Sequence, residues 1–62
     1  MKTILNELVL ELADGSKKMC TVVAEDMSIY FQLHDENGNV EMTALVFIDI
    51  TTGLDVKTIT AL

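Results

Sequence analysis

The sequence predicts a single all-β domain over residues 1–62, a five-stranded antiparallel meander that curls into a small barrel. Two tight-turn dipeptides, Asp14-Gly15 and Asn37-Gly38, each lie between runs of alternating or β-branched apolar residues, which is typical of β-hairpins. Sixty-two residues suffice for one domain only. The chain has no proline and no low-complexity tract, so we expect no internal linker.

The first hairpin is indicated by residues 7–12, where every second residue is a leucine, so that three leucines share one face. Residues 4, 5, 8 and 12 also share a helical face, so a helix over residues 3–12 is a competing interpretation, and a short helical turn over residues 2–6 ahead of the strand remains an alternative. A two-residue turn at Asp14-Gly15 predicts these cross-strand pairs: Leu10 with Met19, Val9 with Cys20, and Glu11 with Lys18.

The second hairpin joins residues 29–34 to residues 40–50 through Asn37-Gly38. A two-residue turn predicts pairs on one face between Leu33 and Met42, Phe31 and Ala44, and Ile29 and Val46. On the other face it predicts pairs between Tyr30 and Leu45, Gln32 and Thr43, and His34 and Glu41. Residues 51–54 then break the chain before a final β-branched strand, residues 56–61.

These registers leave apolar side chains on both faces of the sheet. The first face is an ordinary core, formed by Leu8, Leu10, Leu12, Met19, Ile29, Phe31, Met42 and Val46. A half-solvated antiparallel sheet would be polar on its second face. Here the second face also holds Cys20 as a small apolar filler, and we expect another copy or a partner to cover its main residues: Val9, Val22, Tyr30, Leu45 and Phe47.

The size of the chain independently favours association. A domain this small buries about 60% of the surface of its unfolded chain, and disulfides, a metal or another chain usually supply the missing stability. Cys20 is the only cysteine and His34 the only histidine, which excludes an internal disulfide and a zinc cluster. We therefore expect a homo-oligomer with no metal and no cofactor.

Charge restricts the partners further. The net charge is −6, and the four basic residues are all lysines, so the chain lacks the arginine that reads phosphates and bases. Nucleic-acid binding without help is therefore disfavoured. No apolar run reaches the roughly 18 residues of a membrane span, and the N-terminal residues lack a signal-peptide pattern. We expect no membrane association and a cytoplasmic location, with a phage or mobile element as the source.

Residues 9–33 resemble the first motif of the Sm-like (LSm/Hfq) family. The matching features are an apolar strand, the turn at Asp14-Gly15, the strand residues 21–23 with Asp26, and the strand residues 29–31. Residues 46–48 likewise resemble the apolar start of the second motif. The resemblance implies an SH3-like or Sm-like small barrel and a tendency to form rings.

The resemblance does not extend to the positions that bind RNA in the family. Asp49-Ile50 stands where the family has Arg-Gly, Tyr30 where it has a base-contacting asparagine, and Cys20 where it has a mid-strand glycine. The resemblance thus implies the fold without RNA binding. The alternative function is a ring-forming Sm-like module that binds RNA or a small nucleotide, with Tyr30 as the stacking residue.

The polar residues provide few candidates for chemistry. Four acids near turns, Glu25, Asp26, Asp35 and Glu36, are a candidate acidic rim for a basic protein partner. His34 beside Glu41 is interpreted as a surface pair, because no serine or cysteine nucleophile is predicted beside it. The sequence therefore predicts a non-enzymatic, acidic, oligomeric interaction protein that binds and modulates a cellular protein.

Overall fold

The computed structural model describes all 62 residues, of which 61% lie in strands. One antiparallel sheet has the strand order β4-β3-β2-β1-β5, so the first four strands form a meander and the last returns to pair with the first. This confirms the predicted all-β, five-stranded, barrel-like fold. The elements are β1 (Lys2–Leu12), β2 (Lys17–Glu25), β3 (Ser28–His34), β4 (Val40–Ala44), α1 (Phe47–Thr51) and β5 (Val56–Ala61).

The N-terminal residues are strand, so both helical alternatives, over residues 3–12 and over residues 2–6, are wrong. Residues 2–4 pair with residues 25–23 of β2, and a bulge at Leu5 shifts the register before Asn6 pairs with Val22. A single helical turn makes too few hydrogen bonds to offset its nucleation. Pairing along an existing strand satisfies each backbone group as it is added.

Both hairpin turns contain three loop residues, one more than predicted. In the first turn the Gly15 N–H donates to the Leu12 carbonyl at 2.9 Å, and in the second the Gly38 N–H donates to the Asp35 carbonyl at 3.0 Å. Each glycine has a positive φ, 90° and 84° respectively. A type I turn followed by a left-handed glycine is the common three-residue hairpin connection.

The longer first turn makes the predicted pairing of β1 with β2 wrong by one residue. Leu8 pairs with Cys20, Val9 with Met19, and Leu10 with Lys18. Because side chains alternate along a strand, a shift of one residue moves every side chain of β2 to the opposite face. Cys20 therefore lies beside Leu8 in the core, and Met19 lies on the other face of the sheet.

In the second hairpin, a bulge at Glu41 compensates for the extra loop residue. His34 pairs with Val40, so the predicted pairing of His34 with Glu41 is wrong. The register then shifts by one residue and the remaining pairs are as predicted. They are Leu33 with Met42, Gln32 with Thr43, and Phe31 with Ala44.

The predicted strand over residues 40–50 is too long, because β4 ends at Ala44 and α1 follows. The predicted pairs of Ile29 with Val46 and of Tyr30 with Leu45 are consequently absent. The short helix spaces Phe47 and Ile50 one turn apart, so both contact the core. α1 therefore covers the sheet where a continuing strand would have left it open.

The core lies on one face of the sheet, here called the inner face. Its fully or almost fully buried residues are Leu10, Cys20, Leu33 and Ile50. Around them pack the half-buried residues Leu8, Leu12, Phe31, Ala44, Phe47 and Leu54. The rings of Phe31 and Phe47 are 5.4 Å apart between centroids, which fixes α1 against β3.

The outer face, opposite the core, also contains one fully buried side chain. Val23 has no exposed surface and pairs with Ile4 on one side and with Tyr30 on the other. Its position on the central strand β2 lets these two larger neighbours flank it. Met19 and Val46, which we expected in the core, are respectively half-buried on the outer face and 54% exposed.

Candidate interaction surface

The five residues predicted to form an interface do not share one face. Val9 and Tyr30 lie on the outer face, whereas Val22 pairs with Phe31 on the inner face. Leu45 is 73% exposed just after β4, and Phe47 packs onto the core. The one-residue shift in β2 and the end of β4 at Ala44 together separate this set. The outer face therefore keeps part of the predicted set and adds the apolar side chains of Ile4, Met19 and Val23.

Exposed apolar side chains are nevertheless abundant. Only five of the 62 residues are buried, and large apolar side chains stay exposed mainly near the two sides of the sheet. On the β4 side they are Val40, Met42, Leu45, Val46 and Ile48. On the β1–β5 side they are Ile4, Leu5, Ile59 and Leu62, and two more, Met27 and Ile29, lie where β3 begins.

The apolar groups on the β4 side continue through a corner that we call the β4 corner, residues 45–48. Leu45, Val46 and Ile48 are 73%, 54% and 66% exposed, while Phe47 between them points into the core. Scattered apolar residues are normal on a protein surface, but contiguous ones indicate a contact site. Sequence reasoning named Leu45 and Phe47 as interface residues, but it placed them inside a strand and assigned Val46 to the core.

The outermost strands of the sheet, β4 and β5, each pair on one side only. Their outer backbone groups are therefore free to pair with another strand. Prolines, clustered lysines or an inward charge usually block such edges, and neither strand has a proline. Each has a single charged residue, Glu41 on β4 and Lys57 on β5.

The four acids predicted to form a rim lie at opposite ends of β3. Glu25 and Asp26 are at the turn before this strand, and Asp35 and Glu36 are at the turn after it. The structure therefore does not bring the two pairs together. Asp26 lies 3.4 Å from the N-terminal amine, which partly neutralises the first pair.

The hydroxyl of Tyr30 is already engaged within the chain. It donates a hydrogen bond of 2.9 Å to the Glu25 carboxylate, and this bond raises the pKa of the tyrosine above its usual value. The ring is half-buried beside Val23. Both contacts hold Tyr30 against the outer face.

Asp35 stabilises the second turn. Its Oδ1 accepts the backbone N–H groups of Asn37 and Asn39, each at 2.9 Å. These bonds favour the charged form and lower the pKa of the carboxyl group, the N–H of Asn39 contributing most. Asp35 therefore has a local structural role that explains its position in the loop.

The remaining polar side chains make cross-strand contacts. Lys18 donates to Glu41 at 2.5 Å, joining β2 to β4, and this hydrogen bond raises the pKa of the lysine. His34 contacts the Thr21 hydroxyl at 2.9 Å through Nε2 and the Gly38 carbonyl at 3.4 Å through Nδ1. Glu41 is thus the partner of Lys18 rather than of His34.

Cys20 lies among Leu10 and Leu33 with no exposed surface, and burial raises the pKa of its thiol. No set of three or more histidine, cysteine, aspartate or glutamate side chains converges as metal ligands would, and the surface has no pocket. The only helix, α1, has five residues, so no helix is long enough to cross a membrane.

Comparisons with protein-family models, with curated proteins and with solved structures find no match for this chain. The surface itself therefore supplies the observations on function. It combines two unpaired sheet edges, a contiguous apolar corner and an excess of acids.

Proposed function

We propose that this chain is a non-enzymatic, self-associating interaction protein that acts by binding another cellular protein. The observation that carries the proposal is the imbalance between five buried residues and the many large apolar side chains left exposed along the sides of the sheet. Small domains gain too little from their own core, and association with other copies supplies further burial.

Burial of the exposed groups would contribute favourably to association. Burying one large aliphatic side chain completely is worth about 1.5–3 kcal/mol. The β4 side alone offers five such groups, each between 42% and 73% exposed. Contacts of this kind oppose the loss of translational and rotational entropy when two molecules associate.

Net charge supports a protein partner with a basic surface. A charge of −6 on 62 residues keeps an apolar oligomer soluble and speeds encounter with positively charged proteins. In an oligomer the acids of several copies would add to one negative field. Modulation of a cellular protein is thus proposed as an action of the assembled form.

The alternative, an Sm-like module that binds RNA or a nucleotide, has less support from the contacts of Tyr30. The Tyr30 hydroxyl donates a hydrogen bond to the Glu25 carboxylate, and the ring lies beside Val23. Stacking on a base requires a free ring face next to positive charge. A salt-sensitive shift of a labelled oligonucleotide would favour this alternative over the proposed function.

Sedimentation equilibrium tests the self-association directly. We expect a mass well above that of one 6.8 kDa chain at micromolar concentration. Leu45→Asp should weaken the assembly because it places a charge in the β4 corner, whereas Asn37→Asp places one in the exposed turn before β4 and should have little effect. A wild-type chain that remains strictly monomeric would contradict the proposal.

A further inference from the structure

We propose that Asn37 is a site of spontaneous deamidation, restrained by the hydrogen bonds that Asp35 makes in the same turn. Asparagine is thermolabile because the backbone nitrogen of the next residue can attack its side-chain amide. Glycine at that next position hinders the attack least, since it has no side chain, and Gly38 follows Asn37. The reaction needs only one chain, so it is independent of the self-association proposed above.

The surroundings of Asn37 distinguish it from the other two asparagines, Asn6 and Asn39. All three are exposed, but only Asn37 has a side-chain amide without a hydrogen bond. The Oδ1 of Asn6 accepts the N–H of Glu7 at 2.8 Å. The Nδ2 of Asn39 donates to Oδ2 of Asp35 at 3.5 Å. Both asparagines also precede residues with side chains, which hinder attack, so the amide carbon of Asn37 is the most open of the three.

The reaction passes through a five-membered succinimide ring. The backbone nitrogen of Gly38 loses its proton to solvent and forms a bond to Cγ of Asn37, and the side-chain nitrogen takes a proton from water and leaves as ammonia. A second water then opens the ring. Cleavage of the ring bond to Cγ gives aspartate, and cleavage of the bond to the main-chain carbonyl carbon gives isoaspartate. The net reaction consumes one water and releases one ammonia.

The turn holds the attacking nitrogen in place. The Gly38 N–H donates to the Asp35 carbonyl at 3.0 Å, and Oδ1 of Asp35 accepts the N–H groups of Asn37 and Asn39, each at 2.9 Å. Asn37 occupies the third position of a type I turn, at which ψ is about 0°. At that ψ the Gly38 nitrogen is rotated away from the Asn37 side chain. The turn must therefore open before the ring can form.

Both products alter the turn. Each adds one negative charge next to Glu36 and changes the net charge from −6 to −7. Isoaspartate also runs the chain through Cβ and Cγ, which adds one atom to the backbone. Oδ1 of Asp35 then loses the spacing at which it accepts two N–H groups. Ageing thus converts the chain to a form with a loosened turn before β4.

Ageing the purified chain at mildly alkaline pH tests the site. Peptide mapping by mass spectrometry follows the gain in mass when the amide becomes an acid, and a protein isoaspartate methyltransferase measures the isoaspartate. We expect Asn37 to react before Asn6 and Asn39, with isoaspartate among the products. Asn37→Gln is the control, because glutamine would have to close a six-membered ring and should accumulate no product at this position.

Two matched variants test the restraint by Asp35. Asp14 supports the first turn in a comparable way, because its Oδ1 accepts the Ser16 N–H at 2.9 Å and the Ser16 hydroxyl at 2.6 Å. Asp35→Ala removes two hydrogen bonds from the second turn and should speed the reaction of Asn37 roughly tenfold, a factor that corresponds to about 1.4 kcal/mol. Asp14→Ala should leave the rate at Asn37 unchanged.

Several results would overturn the inference. They are no deamidation at Asn37, an equal rate at Asn6 or Asn39, and products without isoaspartate, which would contradict the ring. An unchanged rate in Asp35→Ala would remove the restraint by the turn. Equal acceleration by Asp14→Ala would show that global unfolding sets the rate and would remove it too. Sedimentation of the wild-type chain tests the proposed function alone, so the two proposals can fail separately.

Discussion

Replacing Ile50 by alanine tests whether α1 completes the core. Ile50 has no exposed surface, whereas Ile48 in the same helix is 66% exposed. The substitution removes about three buried carbon groups, each worth about 0.8 kcal/mol on transfer from water. It also leaves a cavity between α1 and the sheet, so we expect the free energy of unfolding to fall by about 3 kcal/mol.

This loss is large for the chain. At about 0.05–0.15 kcal/mol per residue, a domain of this length has a total stability of about 3–9 kcal/mol. Ile48→Ala is the matched control and should change stability by less than about 0.5 kcal/mol. Urea unfolding should be measured at protein concentrations low enough for the chain to be monomeric, because the self-association that we propose would also stabilise the folded chain and would involve Ile48. Equal losses in the two variants would refute the packing of α1 described above.

Three further predictions concern the turns and Tyr30. Gly15→Ala should lower the free energy of unfolding in urea by roughly 1–2 kcal/mol. The φ of Gly15 is 90° and a new Cβ meets nothing within 4 Å, so only backbone strain acts. An unchanged urea midpoint would contradict this turn geometry. Glu25→Gln should lower the pKa of Tyr30, the only tyrosine, in an absorbance titration, because the hydrogen bond that raises it is weakened. The hydrogen bond from Tyr30 to Glu25 should stabilise the fold below the ordinary tyrosine pKa, and this stabilisation should be lost as pH rises through the pKa of Tyr30 in the folded chain. The pKa of Asp35 is lowered in the folded chain, so its contribution to stability should be present above the ordinary aspartate pKa and disappear as pH falls through the folded pKa. Asp35→Asn should therefore reduce the decrease in stability that acid unfolding measures.

The positions of the strands and turns could be read from the sequence, but the length of each turn could not. A residue pair such as Asp14-Gly15 fits the centre of a two-residue turn and the end of a three-residue turn equally well. The choice changes the register by one residue, and with it the face on which Cys20 lies. Both registers give Met19 and Cys20 apolar partners and pair Glu11 with a lysine, so the pattern did not discriminate between them.

The bulge at Glu41 had no local signal. It restores the expected pairs of Leu33 and Phe31, so the same mistaken turn length gave a correct register in the second hairpin and a wrong one in the first. Glu41 is the residue that reaches Lys18 across the intervening strand. This contact between distant residues depends on the tertiary arrangement and is invisible to a local pattern.

The apolar run after residue 40 was misread for a related reason. A continuous run of this kind fits a buried strand and a buried helix equally well, and the hairpin signal at Asn37-Gly38 led to the strand. The spacing of Phe47 and Ile50 indicates a helical turn only once the inner face is known to need covering there. The structure consequently gives the β4 corner as the candidate contact surface, whereas the sequence predicted the second face of the sheet.

A candidate surface at the β4 corner and the open edges gives a different physical reason for the association that we propose. A second apolar face could be covered by any apolar surface, whereas an open edge requires another strand, because only a strand supplies matching donors and acceptors along its length. Backbone pairing also selects a direction and a register, and the charges of Glu41 and Lys57 distinguish one edge from the other. A partner that binds at either edge would therefore have to present a strand of matching direction and register.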